Sequence, residues 1–268
     1  MENAKTIVIT GGSDGIGAEA ARQLKALGHN IVIVGRTPEK VERVAAELKA
    51  PSHIANYAKL SDVVRLADEL KSYERIDVLC NNAGGIMSKN RTVTGDGFEM
   101  TFQVNVLAQH LLTMLLLDKL AESNATVIQT ASIASKLWGR KLDINDTQNE
   151  KAFTATKAYG ESKLGDILFT RELNRRFGDK INAVAFEPGI SRTNFASEGP
   201  RFFKFAYHSP LKYLFTISQK KSAKRLVRLA AGTPGVDFEK GATYSYKKKY
   251  DPKFKDDGSF AAAYFDYC

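Results

Sequence analysis

The sequence predicts an α/β fold: a doubly wound parallel sheet with helices on both faces, three layers deep, folded as one domain over residues 1–268. Two observations predict it. Strand-length apolar runs alternate with helical patterns along most of the chain. Those runs are apolar nearly throughout, as strands buried on both faces are.

In order, the β-branched run at 6–10 feeds directly into Gly-Gly-Ser-Asp-Gly-Ile-Gly. Helical periodicity over 18–27 stops at Gly28. A second strand covers 30–34 and breaks at Gly35, and the helix at 38–48 places Val41, Val44, Ala45 and Leu48 on one stripe. The alternation continues with strand 53–57, helix 62–71 and strand 77–80, followed by Asn-Asn-Ala-Gly. A long helix over 98–120, strand 125–130, a second long helix over 153–177 and strand 181–186 lead to the turn Pro188-Gly189.

Hydrophobic residues at 43% and charged residues at 26% exclude the disordered and fibrous classes. The net charge of +9 gathers in Lys220, Lys221, Lys224, Arg225 and Arg228 and again at 247–249. These runs read as a solvated helix face and an exposed turn. They lack the aromatic interleaving of a single-strand binder, so no nucleic-acid partner is expected. Cys80 lies in an apolar strand and Cys268 is the last residue, so a reducing, cytoplasmic setting is expected in place of a disulfide framework. The chain enters its first strand almost at once, leaving no room for a signal peptide, and no apolar run reaches the roughly 18 residues of a membrane span. Neither a membrane nor a metal is expected as a partner.

A glycine-rich turn between a strand and a helix lets backbone approach a pyrophosphate, and the helix N-terminus supplies unpaired N–H groups. Gly11, Ser13, Asp14, Gly15, Ile16 and Gly17 form such a turn, spaced Gly-x-x-x-Gly-x-Gly. The end of the second strand selects the dinucleotide: an acid there would accept from a ribose 2′-hydroxyl, whereas arginine accommodates a 2′-phosphate. Arg36 and Thr37 stand there, and the first acid is Glu39, which points to NADP(H), with Asp14 weighing against it. Tyr159 and Lys163, four apart on a helix, share one face. A neighbouring ammonium favours the phenolate, which makes Tyr159 the candidate proton donor and acceptor.

With Thr10-Gly11-x-x-x-Gly15-Ile16-Gly17, Asn81-Asn82-Ala83-Gly84, Tyr159-x-x-x-Lys163 and Pro188-Gly189 in this order, residues 5–195 resemble the short-chain dehydrogenase/reductases. The stretches Thr-Gly-Asp-Gly-Phe-Glu at 94–99, Phe-Gln-Val-Asn at 102–105 and Ser-Lys-Leu at 162–164 are similar to the retinol-dehydrogenase-like and WW-domain-oxidoreductase-like branch. The resemblance implies a Rossmann-type fold and an oxidoreductase interconverting an alcohol and a carbonyl. It makes Ser132 the residue holding the substrate oxygen, with Ser135 a nearby competitor. It makes Asn105 a relay from Lys163 toward solvent. Asn82, Ala83 and Gly84 then pass beneath the adenosine ribose, while Pro188, Gly189, Ile190 and Thr193 meet the nicotinamide end.

Two departures matter. Where the family usually has an acid near adenine, this chain has Asn56 and Tyr57, which are expected to serve instead by hydrogen bonding and stacking. The serine-to-tyrosine segment is long, offering Trp138 and Leu142 as pocket walls. A lid over about 190–218, rich in aromatics from Phe195 to Phe215, suits a small apolar or ring-bearing substrate. The resemblance also suggests a homo-oligomer formed through the two long helices. The rival reading is a dinucleotide sensor without turnover, which intact Tyr159, Lys163, Ser132 and Asn105 argue against.

Overall fold

The computed structural model describes residues 4–139, 141–189, 217–256 and 258–268. Ile190, Thr193 and the aromatics from Phe195 to Phe215 lie outside the described residues, as does nearly all of the expected lid.

The strands are β1 (Thr6–Thr10), β2 (Asn30–Gly35), β3 (Ser52–Ile54), β4 (Val78–Asn81), β5 (Thr126–Thr130), β6 (Asn182–Glu187), β7 (Thr243–Ser245) and β8 (Lys248–Lys249). They form one sheet in the order β3-β2-β1-β4-β5-β6-β7-β8, parallel except for the antiparallel β7–β8 pair. Both faces are covered, and β1 shows why its sequence is apolar without alternation. Ile7 and Ile9 point to one side, into a core with Leu24 and Leu226, while Val8 points to the other, into a core with Leu66 and Leu112. All three are fully buried.

The helices among the described residues are α1 (Gly15–Ala26), α2 (Pro38–Leu48), α3 (Leu60–Lys71), α4 (Met100–Phe102), α5 (Ala108–Leu115), α6 (Leu117–Glu122), α7 (Ala134–Leu137), α8 (Ala155–Phe177), α9 (Gln219–Ala231) and α10 (Ser259–Tyr267). Helix α1 begins three residues earlier than its periodicity suggests, because Asp14 caps it by accepting from the Gly15 N–H at 2.7 Å. Alanines 18, 20 and 21 then let it lie close against the sheet and α9.

The single long helix expected over 98–120 is instead broken. A π-helical turn, Gln103–Leu107, separates α4 from α5, and α6 follows as a further short piece. The widened turn carries Asn105, fully buried. The basic C-terminal third divides as well. Lys220, Lys221 and Lys224 are exposed on α9, whereas Arg225 and Arg228 are half-buried and bonded inward. Lysines 247–249 are exposed at the β7–β8 edge. No helix among the described residues is long and apolar enough to cross a membrane.

Candidate active site

The strand order reverses at β1, with β2 on one side and β4 on the other, so the loops leaving β1 and β4 part there and open a crevice beyond the carboxyl ends. A cleft of about 570 Å³ occupies this position. The sequence places nearly every candidate residue around it: Gly11, Ser13, Asp14, Gly15, Ile16, Arg36, Thr37, Asn56, Tyr57, Asn82, Ala83 and Gly84 at one end, and Ser132, Tyr159, Lys163, Pro188 and Gly189 at the other.

The floor is pinned by one hydroxyl. Thr10 Oγ1 donates to the Cys80 carbonyl at 3.1 Å and accepts from the Asn82 and Ala83 N–H groups at 2.9 and 3.0 Å. The Asn82 amide in turn donates to the Thr10 carbonyl at 3.0 Å. Gly11, at φ +64, lies so close beneath this turn that a Cβ would stand 3.0 Å from the Ala83 Cα. Gly17 does not line the cleft. Any Cβ on it would stand 2.7 Å from the Asn82 amide nitrogen, so its role is close packing of helix on strand.

At the rim, Arg36 is exposed and Thr37 half-buried. Lys40, which the sequence reading passed over, joins them on the cleft wall and bonds Asp14 Oδ2 at 2.6 Å. That bond holds the Asp14 carboxyl below its usual range, so the acid expected to oppose a phosphate stays ionised but is paired with a cation. The signal was available: Lys40 falls in the first turn of the helix that begins directly after Arg36 and Thr37. Tyr57 is only 5% exposed and packs with Val63 and Leu66, giving it a small share of the wall. The Asn56 side-chain oxygen accepts locally from the Ala58 N–H at 3.1 Å.

At the other end, Tyr159 and Lys163 project from α8 with the Lys163 ammonium 5.9 Å from the phenol ring centre. Ser132 Oγ lies on the cleft wall and accepts from the Ala134 N–H at 3.2 Å. Ser135, the competitor, is fully buried, donates to the Ser132 carbonyl at 2.7 Å and meets the Tyr250 hydroxyl at 3.1 Å. It stands outside the cleft. Asn105 also stands outside it, behind the turn. Its amide donates to the Gly85 carbonyl at 3.0 Å and to Ser162 Oγ at 2.9 Å, and its oxygen accepts from the Gly85 N–H at 3.0 Å.

Trp138 lines the cleft and packs with Ile86, Ala134 and Tyr159. Leu142 does not. It is buried with Phe102, Leu164, Leu168 and Tyr264, where α8, α4 and the C-terminal helix enclose it in apolar surroundings. Ile86, Met87, Ile133 and Leu137 complete an apolar wall beside Tyr159. The Pro188-Gly189 turn is held by Glu187, which accepts from the Gly189 N–H at 2.5 Å, from Arg225 at 3.0 Å and from Ser245 at 2.8 Å.

A family model for the short-chain dehydrogenases matches residues 5–201. The chain belongs to that family. It is therefore a nicotinamide-dependent oxidoreductase, and the retinol dehydrogenases among its relatives put it in their branch. A protein of Streptomyces sp. (strain C5) assigned as the daunorubicin C-13 ketoreductase DnrU is 37% identical over 254 residues, covering 91% of this chain and 84% of that one. Retinol dehydrogenase 13 of Homo sapiens is 38% identical over 199 residues, 70% of this chain and 60% of that one, so the chain spans less than two thirds of that relative. Among solved structures, the 3-ketoacyl-(acyl-carrier-protein) reductase of Brucella melitensis, complexed with NADH, superimposes with a TM-score of 0.71 at 23% identity, over 91% of this chain and 97% of that one. That likeness shows the shared fold.

Proposed function

We propose that the protein uses NADP(H) to interconvert an alcohol and a carbonyl on a small apolar or ring-bearing substrate. The observation that carries this reading is the gathering of Ser132, Tyr159 and Lys163 at one end of a cleft whose other end is a glycine turn. The cleft suits a dinucleotide. At Gly11 a side chain would strike the neighbouring turn, so bare backbone faces the cleft there.

When bound, the nicotinamide supplies or accepts the hydride. Ser132 hydrogen-bonds the substrate oxygen and holds it against the Tyr159 hydroxyl. Tyr159 gives its proton to that oxygen in reduction and takes it back in oxidation. Lys163, behind the ring, stabilises the phenolate form. Its remaining N–H faces the cleft, where it can hold the nicotinamide ribose. Pro188 and Gly189, braced by Glu187, bound the nicotinamide end.

The preference for NADP(H) is supported by Arg36, Thr37 and Lys40 around one end of the cleft and by the absence of an acid at the close of β2. The substrate class is supported by the apolar wall of Ile86, Met87, Ile133, Leu137 and Trp138, and by the ring-bearing ketone in the name of the Streptomyces relative.

Tyr159→Phe tests the reading. With NADPH consumption followed over a panel of ring-bearing ketones, turnover is expected to fall by about 10²-fold or more, as loss of a general acid does. NADPH binding, read by fluorescence, is expected to stay within about twofold, since the lost hydroxyl serves proton transfer. Undiminished turnover in this variant refutes the assignment.

A further inference from the structure

Lys163 has a partner that the proton-transfer scheme above does not use. Its Nζ donates to the Thr130 carbonyl at 2.9 Å and to Asp166 Oδ2 at 2.8 Å. The two side chains of this ion pair are only 4% and 3% exposed. Three residues apart on α8, they share a face, with the carboxylate on the far side of the ammonium from Tyr159. An ammonium carries three N–H groups, so two are engaged within the protein and one is left for the cleft. Nothing in the packing of α8 calls for a carboxylate here, and an ion pair this deeply buried is a weak source of stability compared with an apolar pair.

We infer that Asp166 is a positioning residue for the tyrosine–lysine pair: it aims Lys163 at the cleft and, when ionised, offsets the lysine charge felt by Tyr159. This rests on the roles given to Tyr159 and Lys163 above. The groups facing Asp166 leave Lys163 as the cation. On its own helix stands Lys163, whose other bond goes to the Thr130 carbonyl of β5; from α10 comes Tyr264 and, just past its end, Cys268, both acids with raised proton affinity. Burial holds the Asp166 carboxyl up at about 6 against the opposing pull of Lys163. The offset therefore operates above roughly that pH and fades below it.

The sign follows. Alcohol oxidation needs Tyr159 deprotonated, so its rate rises with pH. With Asp166 ionised, the phenolate gains less from Lys163. In Asp166→Asn the cation is uncompensated, and the rising limb moves to lower pH by about one unit, the effect of a unit charge within ~10 Å at an effective dielectric of ~20. The same shift is expected without cofactor or substrate, in the tyrosinate absorbance of Asp166→Asn minus that of Asp166→Asn/Tyr159→Phe, set against wild type minus Tyr159→Phe. Asp166→Ala, which also removes the aiming hydrogen bond, is expected to weaken NADPH binding several-fold. If that variant fails to fold, Asp166→Asn, which keeps shape and a hydrogen bond, carries the test. A limb and a tyrosinate titration both unmoved in Asp166→Asn, with circular dichroism native, overturn the inference. Turnover surviving in Tyr159→Phe sinks the underlying mechanism, whereas an inactive Tyr159→Phe beside an unshifted Asp166→Asn sinks Asp166 alone.

Discussion

Replacing Lys40 with alanine tests cofactor choice at the residue the sequence reading missed. In the structure Lys40 Nζ sits 2.6 Å from Asp14 Oδ2, with the side chains 43% and 51% exposed. A pair that open to solvent is worth about 0–1 kcal/mol, so little is lost when Lys40 turns to another anion. A 2′-phosphate at the Arg36 end of the cleft offers a doubly charged acceptor, and a charge-assisted hydrogen bond contributes about 1.5–3 kcal/mol before screening. Subtracting the Asp14 bond leaves roughly 0.5–3 kcal/mol, and screening at this exposed rim trims that to roughly 1–1.5 kcal/mol, a five- to tenfold change in Kd. Fluorescence titration of Lys40→Ala is therefore expected to show NADPH bound about five- to tenfold more weakly and NADH within about twofold of wild type. The NADPH loss should shrink as salt is raised, since the site is exposed. Equal weakening of both dinucleotides, or of neither, refutes the reasoning.

Glu161 and Gly165 on α8 give two further expectations. Burial raises the Glu161 carboxyl to about 7 from an ordinary 4.5, while Asn149 donates to it at 2.9 Å. An acid whose proton affinity is raised by folding adds stability that is complete below pH 4.5 and lost as pH climbs through 7. Urea unfolding across that window should show wild type losing about 2–3 kcal/mol relative to Glu161→Gln, and parallel curves would contradict it. At Gly165 a Cβ would stand 2.9 Å from the Tyr264 ring carbon that bears the hydroxyl. Gly165→Ala should therefore cost about 1–3 kcal/mol by overpacking, lowering Tm by roughly 3–10 °C in thermal melts. An unchanged Tm would show that α10 shifts freely.

What could be read in advance follows the range of the forces involved. The strands β1, β2, β4, β5 and β6 were legible because burial on both faces makes them apolar nearly throughout, and the glycine turn because close backbone approach admits no side chain at Gly11 and Gly17. Tyr159 and Lys163 were legible from helical spacing only in company with the glycine turn, since a tyrosine and a lysine four apart are common by chance. The break in the 98–120 helix was not, because a π turn leaves the apolar pattern nearly intact and declares itself only through the Asn105 bonds to Gly85 and Ser162. Leu142 was expected in the cleft, and nothing local tells an apolar loop residue which of two apolar surfaces it will join. Strands β7 and β8, of three and two residues, are too short for any period to show. Helix α10 is apolar around most of its girth and earns its place only by docking Tyr264 and Phe265 against α8. The ranking of Ser132 over Ser135 came from family likeness, and the geometry beneath it is the Tyr250 hydroxyl that engages Ser135.

The threonine at the end of β1 makes the crevice ready before any nucleotide arrives. Because a single oxygen ties β1 to β4 and to the turn that follows β4, the base of the crevice is set as the sheet assembles, and its shape is inherited from folding. A floor set in advance does not have to be ordered on association, which lowers the entropic cost of capture. Valine at that site would preserve the outline and leave the Asn82 N–H on the Cys80 carbonyl, yet strip the Ala83 amide of its partner and loosen the crevice floor under an intact sheet.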